Sequence, residues 1–127
     1  NDSIDHRFTK PIRTMIDSSL FEIIIKGMQE VVEDEELGTS NIAKMENISV
    51  CGKTGTAQNP HGEDHSIFIG FAPKNNPKIA LAVYVENGGW GSTWAVPIAS
   101  LMIEKYLNDT IRRDFLEKKI VEGVIEY

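Results

Sequence analysis

Gly52-Lys53-Thr54-Gly55-Thr56 gathers the residue types needed to hold a carboxylate. A lysine brings positive charge to the edge of a cleft. Thr54 and Thr56 are two residues apart, so an extended backbone puts both hydroxyls on one side. Gly55 between them lets a ligand approach the main chain closely, and a free Thr56 N–H can serve an oxyanion. The triplet Lys-Thr-Gly is short and unspecific when taken alone. Gly52-Lys53-Thr54 also matches the end of a phosphate-binding loop, G-x-x-x-x-G-K-[ST]. That loop requires a glycine at position 47, where this chain has Asn47, and a helix straight after. A strand-like run leads into the triplet here and turn residues follow, which sets the phosphate loop aside.

Other reactive residues carry weaker signals. His61 and His65, with Glu63 and Asp64 between them, contain metal-ligand types, but the spacing is that of a loop and no cysteine joins them. A polar loop at a cleft rim is the favoured reading. Cys51, the only cysteine, rules out an internal disulfide and reads as a small packed apolar group rather than a reactive thiol. Trp90 and Trp94, among Gly88, Gly89 and Gly91, are read as packing for the loop before the last long helix, with stacking on a ligand as the alternative. Glu33-Asp34-Glu35-Glu36 reads as a solvated helix end, although acid there opposes the helix dipole.

The elements that must position the motif follow from periodicity and punctuation. Ser19-Leu20-Phe21-Glu22 fits a capping box. Leu20, Ile24, Met28 and Val31 then recur at helical spacing, predicting a helix over 19–35 packed on a sheet. Ile48–Cys51 alternates like a strand that ends at the motif. Ile67–Ala72 and Ile79–Val85 are apolar on both faces, predicting strands covered on both sides, with a Pro73–Pro77 turn between them. Pro97 suits the first turn of a helix running to about Asn108. A short helix and an extended end are expected over 110–127, with 120–125 able to pair as a strand. The fold class is therefore α/β of the α+β type: an antiparallel three-stranded meander flanked by helices, within a single domain over 1–127.

The 127 residues are 41% hydrophobic and 25% charged, the balance of a soluble globular chain rather than a disordered one. A net charge of −6 leaves no basic footprint for nucleic acid. No apolar run is long enough to span a membrane and no export signal stands at the start. The single cysteine decides between neither cytoplasm nor periplasm.

Taken in order, a longer string is far more specific than the triplet. Gly52–Gln58, His65, Phe68–Pro73, Asn76–Ala80 and Val85–Gly89, preceded by Gly27–Val32 and Gly38-Thr39, resemble the class B penicillin-binding proteins of the elongation type. The likeness is strongest over 12–108, with 109–127 as a tail. The resemblance implies a peptidoglycan D,D-transpeptidase domain, with an antiparallel sheet and helices on both faces. In that family a serine attacks the D-alanyl-D-alanine end of a stem peptide and passes the acyl group to an amine of a neighbouring stem; β-lactams acylate the same serine. Lys53 then supplies positive charge, Thr54, Gly55 and Thr56 hold the substrate carboxylate, the Thr56 N–H forms half of the oxyanion hole, and His65 faces the cleft. The resemblance implies no metal and no cofactor. It implies a membrane-anchored parent with this domain in the periplasm, among other cell-wall elongation proteins.

Two family motifs are missing. None of Ser3, Ser18, Ser19, Ser40, Ser49, Ser66, Ser92 and Ser100 has a lysine three residues on, and no S-x-N triplet occurs. In the family both precede the Lys-Thr-Gly motif, so they are expected upstream of Asn1, and the chain by itself is expected neither to transpeptidate nor to bind penicillin covalently. A fragment of the enzyme is the leading reading; an autonomous interaction module and a serine β-lactamase fragment are the alternatives. The strand at 79–85 is expected to seek a partner at its open edge, by pairing between chains or with 120–126.

Overall fold

The computed structural model describes residues 4–125. Its frame is helix α1 (Ser18–Glu33), strands β1 (Cys51–Ala57), β2 (His65–Ala72) and β3 (Ile79–Val85), helix α2 (Ala95–Asn108) and helix α3 (Asp114–Val121), with short 3-10 turns at His6–Phe8 and Asn41–Ala43. The three strands form one antiparallel sheet in the order β1-β2-β3. This is the expected meander, and short connections are what permit it.

Register decides which side chains share a face. Gly52, Thr54 and Thr56 lie opposite Gly70, Phe68 and Ser66, and those in turn lie opposite Leu81, Val83 and Val85. Helix α2 covers this face. The buried Ser66 hydroxyl accepts from the Ala95 N–H at 3.1 Å and donates to the Trp90 carbonyl at 2.9 Å, fastening the start of α2 to the sheet. Phe68, Ala72, Ala95, Val96, Ala99 and Ile103 are fully buried and form most of the core, joined by Val32 from α1. The Phe68 ring explains two glycines: a Cβ on Gly52 would lie 2.1 Å from its Cζ, and one on Gly70 would lie 2.7 Å from its Cε1.

Several expectations change. Strand β1 begins at Cys51 and runs through the motif, so Lys-Thr-Gly sits within a strand and not at its end; Ile48 makes only an isolated bridge with Met45. The β2 and β3 strands are covered on one face alone. Ile69 and Tyr84, on the other, are 49% and 53% exposed, because α1 packs against β1 and leaves β3 bare there. Helix α1 stops at Glu33, and its cap is Asp17, whose carboxylate accepts from the Ser19 N–H at 2.9 Å and from the Ser19 hydroxyl at 2.6 Å. That hydroxyl is therefore spent as a donor, and Ser19 cannot lead a capping box. Only the second half of α1 packs: Leu20, Phe21, Ile23 and Ile24 remain exposed, and Val32 is buried.

The acidic run builds a turn. Asp34 accepts from the Glu36 and Leu37 N–H groups, each at 2.9 Å. Glu35 pairs with Lys44 at 2.7 Å, and Glu33 accepts from Ser49 Oγ at 2.8 Å. The tail is docked. Residues 120 and 121 end α3, and 122–125 form no strand; residue 126 lies outside the described residues. The Trp94 ring fills the space over Gly123, where a Cβ would sit 2.4 Å from Cη2. Glu104 on α2 accepts from Arg113 Nε at 2.9 Å.

Candidate functional site

Lys53, Thr54, Gly55 and Thr56 line one cleft of about 320 Å³, together with Thr39, Trp90, Gly91 and Ser92. Strand β1 supplies the first four. The connection from α1 to β1 supplies Thr39, and the loop from β3 to α2 supplies the last three. The hydroxyls of Thr54 and Thr56 share a face, as their register shows. Lys53 is on the opposite face and exposed, and its side chain turns back so that Nζ donates to the Thr54 carbonyl at 2.9 Å and reaches the Thr54 hydroxyl at 3.4 Å. Among the described residues no carboxylate pairs with it. Its charge is thus held at the cleft and not neutralised. A groove between α2 and α3 is larger, about 500 Å³, but its lining is almost wholly apolar and gathers no reactive set.

The wall opposite the motif is held by backbone. A Cβ on Gly91 would lie 2.7 Å from the Ile67 carbonyl, 2.8 Å from the Gly55 carbonyl and 3.1 Å from Thr54 Cβ. Only glycine allows that approach. The carbonyl before it, on Trp90, accepts from both Ser66 and the Thr93 N–H. The indole projecting from this fixed backbone is 73% exposed. Packing, the expectation from sequence, therefore holds for Trp94, which is half-buried against Gly123, and fails for Trp90.

His65 stands apart from this cleft. Its Nδ1 accepts from the Asn87 N–H at 3.0 Å, and its ring packs on Tyr84 with centroids 5.2 Å apart. The neighbouring loop is organised by side-chain amides and Asp64: Asn59 N–H donates to Asp64 at 3.1 Å, and Asn59 Nδ2 donates to Asn87 Oδ1 at 2.9 Å. Asn87 can occupy the left-handed region this turn needs, at φ 53°. Cys51 is fully buried, and burial pushes its thiol pKa up, which keeps it protonated and inert at neutral pH.

Thr39 is the residue that motif reasoning missed. Its hydroxyl lies 3.2 Å from that of Thr54, across fifteen positions of sequence. Gly38-Thr39 carries part of the family likeness, but no local pattern announces a contact with the strand.

A threonine pair on one face of an edge strand, a lysine with no carboxylate partner among the described residues and a glycine-tight loop opposite thus line one cleft. The chain belongs to the family of penicillin-binding protein transpeptidase domains, which it matches over residues 6–104. It is 36% identical over 107 residues to the peptidoglycan D,D-transpeptidase MrdA of Haemophilus influenzae, covering 72% of this chain and 16% of that relative. It is 41% identical over 71 residues to the peptidoglycan D,D-transpeptidase PbpA of Mycobacterium tuberculosis, covering 47% of this chain and 14% of that one. Among solved structures it resembles Pseudomonas aeruginosa PBP2 in complex with WCK 5153, with a TM-score of 0.65 and 35% identity over 83% of this chain and 23% of that one. The chain thus spans well under a third of these relatives and corresponds to part of the transpeptidase domain.

Proposed function

We propose that this chain supplies the substrate-carboxylate wall of a peptidoglycan D,D-transpeptidase. The observation that carries the reading is the placement of the Thr54 and Thr56 side chains on one strand face, in one cleft with Lys53. A stem peptide ending in D-alanyl-D-alanine presents a terminal carboxylate one residue from its reactive carbonyl. The two hydroxyls and the lysine charge hold that carboxylate, which lays the preceding carbonyl along β1. The Thr56 N–H then meets the oxygen of that carbonyl as it gains charge. A serine attacks the carbonyl carbon, the terminal D-alanine leaves with a proton on its amine, and an acceptor amine later displaces the serine to form the crosslink. A β-lactam enters by the same route, its own carboxylate on the same wall. His65 is not carried into this assignment, since its ring acceptor is already taken by Asn87.

The nucleophile must come from another segment, since these 127 residues hold no S-x-x-K. Incubation with a fluorescent penicillin followed by denaturation should leave this chain unlabelled; a stable covalent label on it would refute the reading. The parent is proposed to be anchored in the inner membrane with this domain in the periplasm. Among the described residues no helix is long and apolar enough to cross a membrane. The exposed apolar half of α1 and the open β3 edge support a place within a larger domain, and both are surfaces that a neighbouring segment would cover.

A further inference from the structure

Thr54 can serve a carboxylate only as a hydrogen-bond donor, and its hydroxyl has a single proton. Where that proton points is decided by what occupies the oxygen's two lone pairs. Lys53 Nζ, 3.4 Å away, carries only donors and so faces one of them. Thr39 Oγ1, at 3.2 Å, is the other neighbour and can either donate or accept. If Thr54 donates to Thr39, the wall loses one of its donors. If Thr39 donates to Thr54, both lone pairs are met and the Thr54 proton is left for the cleft.

We propose that Thr39 is a positioning residue that turns its own proton onto Thr54 and thereby directs the Thr54 proton at the substrate carboxylate. The inference rests on the carboxylate-wall reading above. A carboxylate accepts and never donates, so its arrival favours this one direction along Thr39, Thr54 and the ligand. Each hydrogen bond in such a chain polarises the next.

The backbone around Thr39 is built to hold it in place. The Gly38 N–H donates to the Asp34 carbonyl at 2.9 Å, and the Ser40 N–H donates to the Val31 carbonyl at 3.0 Å. A Cβ on Gly38 would fall 2.2 Å from the Asp34 carbonyl oxygen, so the turn closes only with glycine there. The Asn41 side chain donates to the Val32 carbonyl at 3.2 Å and completes the clamp. Thr39 itself is exposed, which means its hydroxyl is not needed to satisfy the interior.

The test uses the chain as it stands. N-acetyl-D-alanyl-D-alanine and its C-terminal amide are titrated separately while the Thr54 and Thr56 amide resonances are followed by NMR, in the wild type, Thr39→Val and Thr39→Ser. The acid should bind and the amide should bind more weakly. Thr39→Val, which keeps the shape and loses the hydroxyl, should weaken the acid on the order of three- to tenfold, the worth of one hydrogen bond, and leave the amide unchanged. Thr39→Ser should restore the acid to within about twofold. Equal acid binding by wild type and Thr39→Val, or no rescue by serine, overturns the role of Thr39 and leaves the wall standing. A wild type that does not prefer acid to amide overturns the wall and the inference together. A loss that strikes acid and amide alike in Thr39→Val marks a structural role and also overturns the proposal.

Discussion

Replacing Arg113 by methionine should unfold much of the tail and cost a large share of the chain's stability. The side chains of Arg113 and Glu104 are 18% and 6% exposed, and Nε donates to the carboxylate at 2.9 Å. The guanidinium also donates to the Ile42 carbonyl at 2.9 Å and the Ser100 carbonyl at 3.1 Å. Glu104 has one other partner, the Arg112 N–H at 3.1 Å. Methionine leaves a buried carboxylate with that single N–H, takes the side-chain donor from the Ile42 carbonyl, and leaves the Ser100 carbonyl with only its helical backbone partner. Losing one partner of a buried pair costs about 3–5 kcal/mol. Glu104→Gln should be milder, about 1–2 kcal/mol, because its amide oxygen still accepts from Arg113 and the two carbonyls keep their donors. The double variant Glu104→Met, Arg113→Met should cost clearly less than the two methionine changes summed, since no unpaired charge remains. Urea unfolding followed by far-UV circular dichroism reads all four. With a urea slope of about 1–3 kcal/mol/M, the midpoint for Arg113→Met should fall by roughly 2 M. A fall of under about 0.3 M at unchanged slope would refute the reasoning and make the pair a surface ornament. The position matters because the family match ends at residue 104, so this pair ties residues beyond the match to residues within it.

Trp90→Ala should leave stability within about 0.5 kcal/mol, as exposed changes do, while Trp94→Ala should cost about 2 kcal/mol, roughly half the price of a fully buried tryptophan; equal losses in thermal melts would contradict the distinction drawn between the two rings. Backbone hydrogen bonds from Leu37 and then Glu36 hold the Asp34 carboxyl below its ordinary value of 3.8. A lowered folded-state pKa contributes stability that is fully present above the unfolded value and is lost as pH falls through the folded one. The advantage of wild type over Asp34→Asn should therefore be constant from neutral pH down to about pH 5 and should shrink below 3.8; an advantage that persists unchanged well below pH 3 would contradict it. The uncharged run Ile79–Val85 at the sheet edge should make the isolated chain associate, and sedimentation should show a concentration-dependent mass that Ala82→Lys reduces; a strict monomer at high concentration would show that the edge is protected.

What could be read in the sequence was what repeats locally. Strands β2 and β3 and the two long helices announced themselves by spacing, the first strand was read one segment too early, and the order of motifs named the family before any coordinate did. What misled was the assumption that apolar on both faces means covered on both faces. Ile69 and Tyr84 are exposed because α1 packs against β1 and leaves that face of β3 bare. Boundaries slipped for a related reason. Lys53 and Thr54 are polar and looked like the end of a strand, but β1 is a sheet edge, and an edge tolerates polar residues along its length. The Asp17 cap was missed because Ser19 offered a better-known pattern two residues on. The acidic run could not be understood without Lys44, Ser49 and the backbone of Glu36 and Leu37, which all lie past the end of α1.

The cleft shows why a motif identifies a family more easily than it describes a site. Lys53 to Thr56 are contiguous, so a pattern finds them. The opposite wall arrives from residues 39 and 90–92, on connections whose sequence is constrained only by what they must approach. Gly91 is there because three atoms of β1 and β2 leave no room for a Cβ, and Trp90 is displayed because Ser66, buried beneath it, pins its carbonyl. The same serine accepts from the start of α2, so one hydroxyl sets the helix, the loop and the aromatic rim together. Changing Ser66 to alanine would therefore disturb a cleft it does not line, acting from the neighbouring strand, where Ser66 lies opposite Thr56.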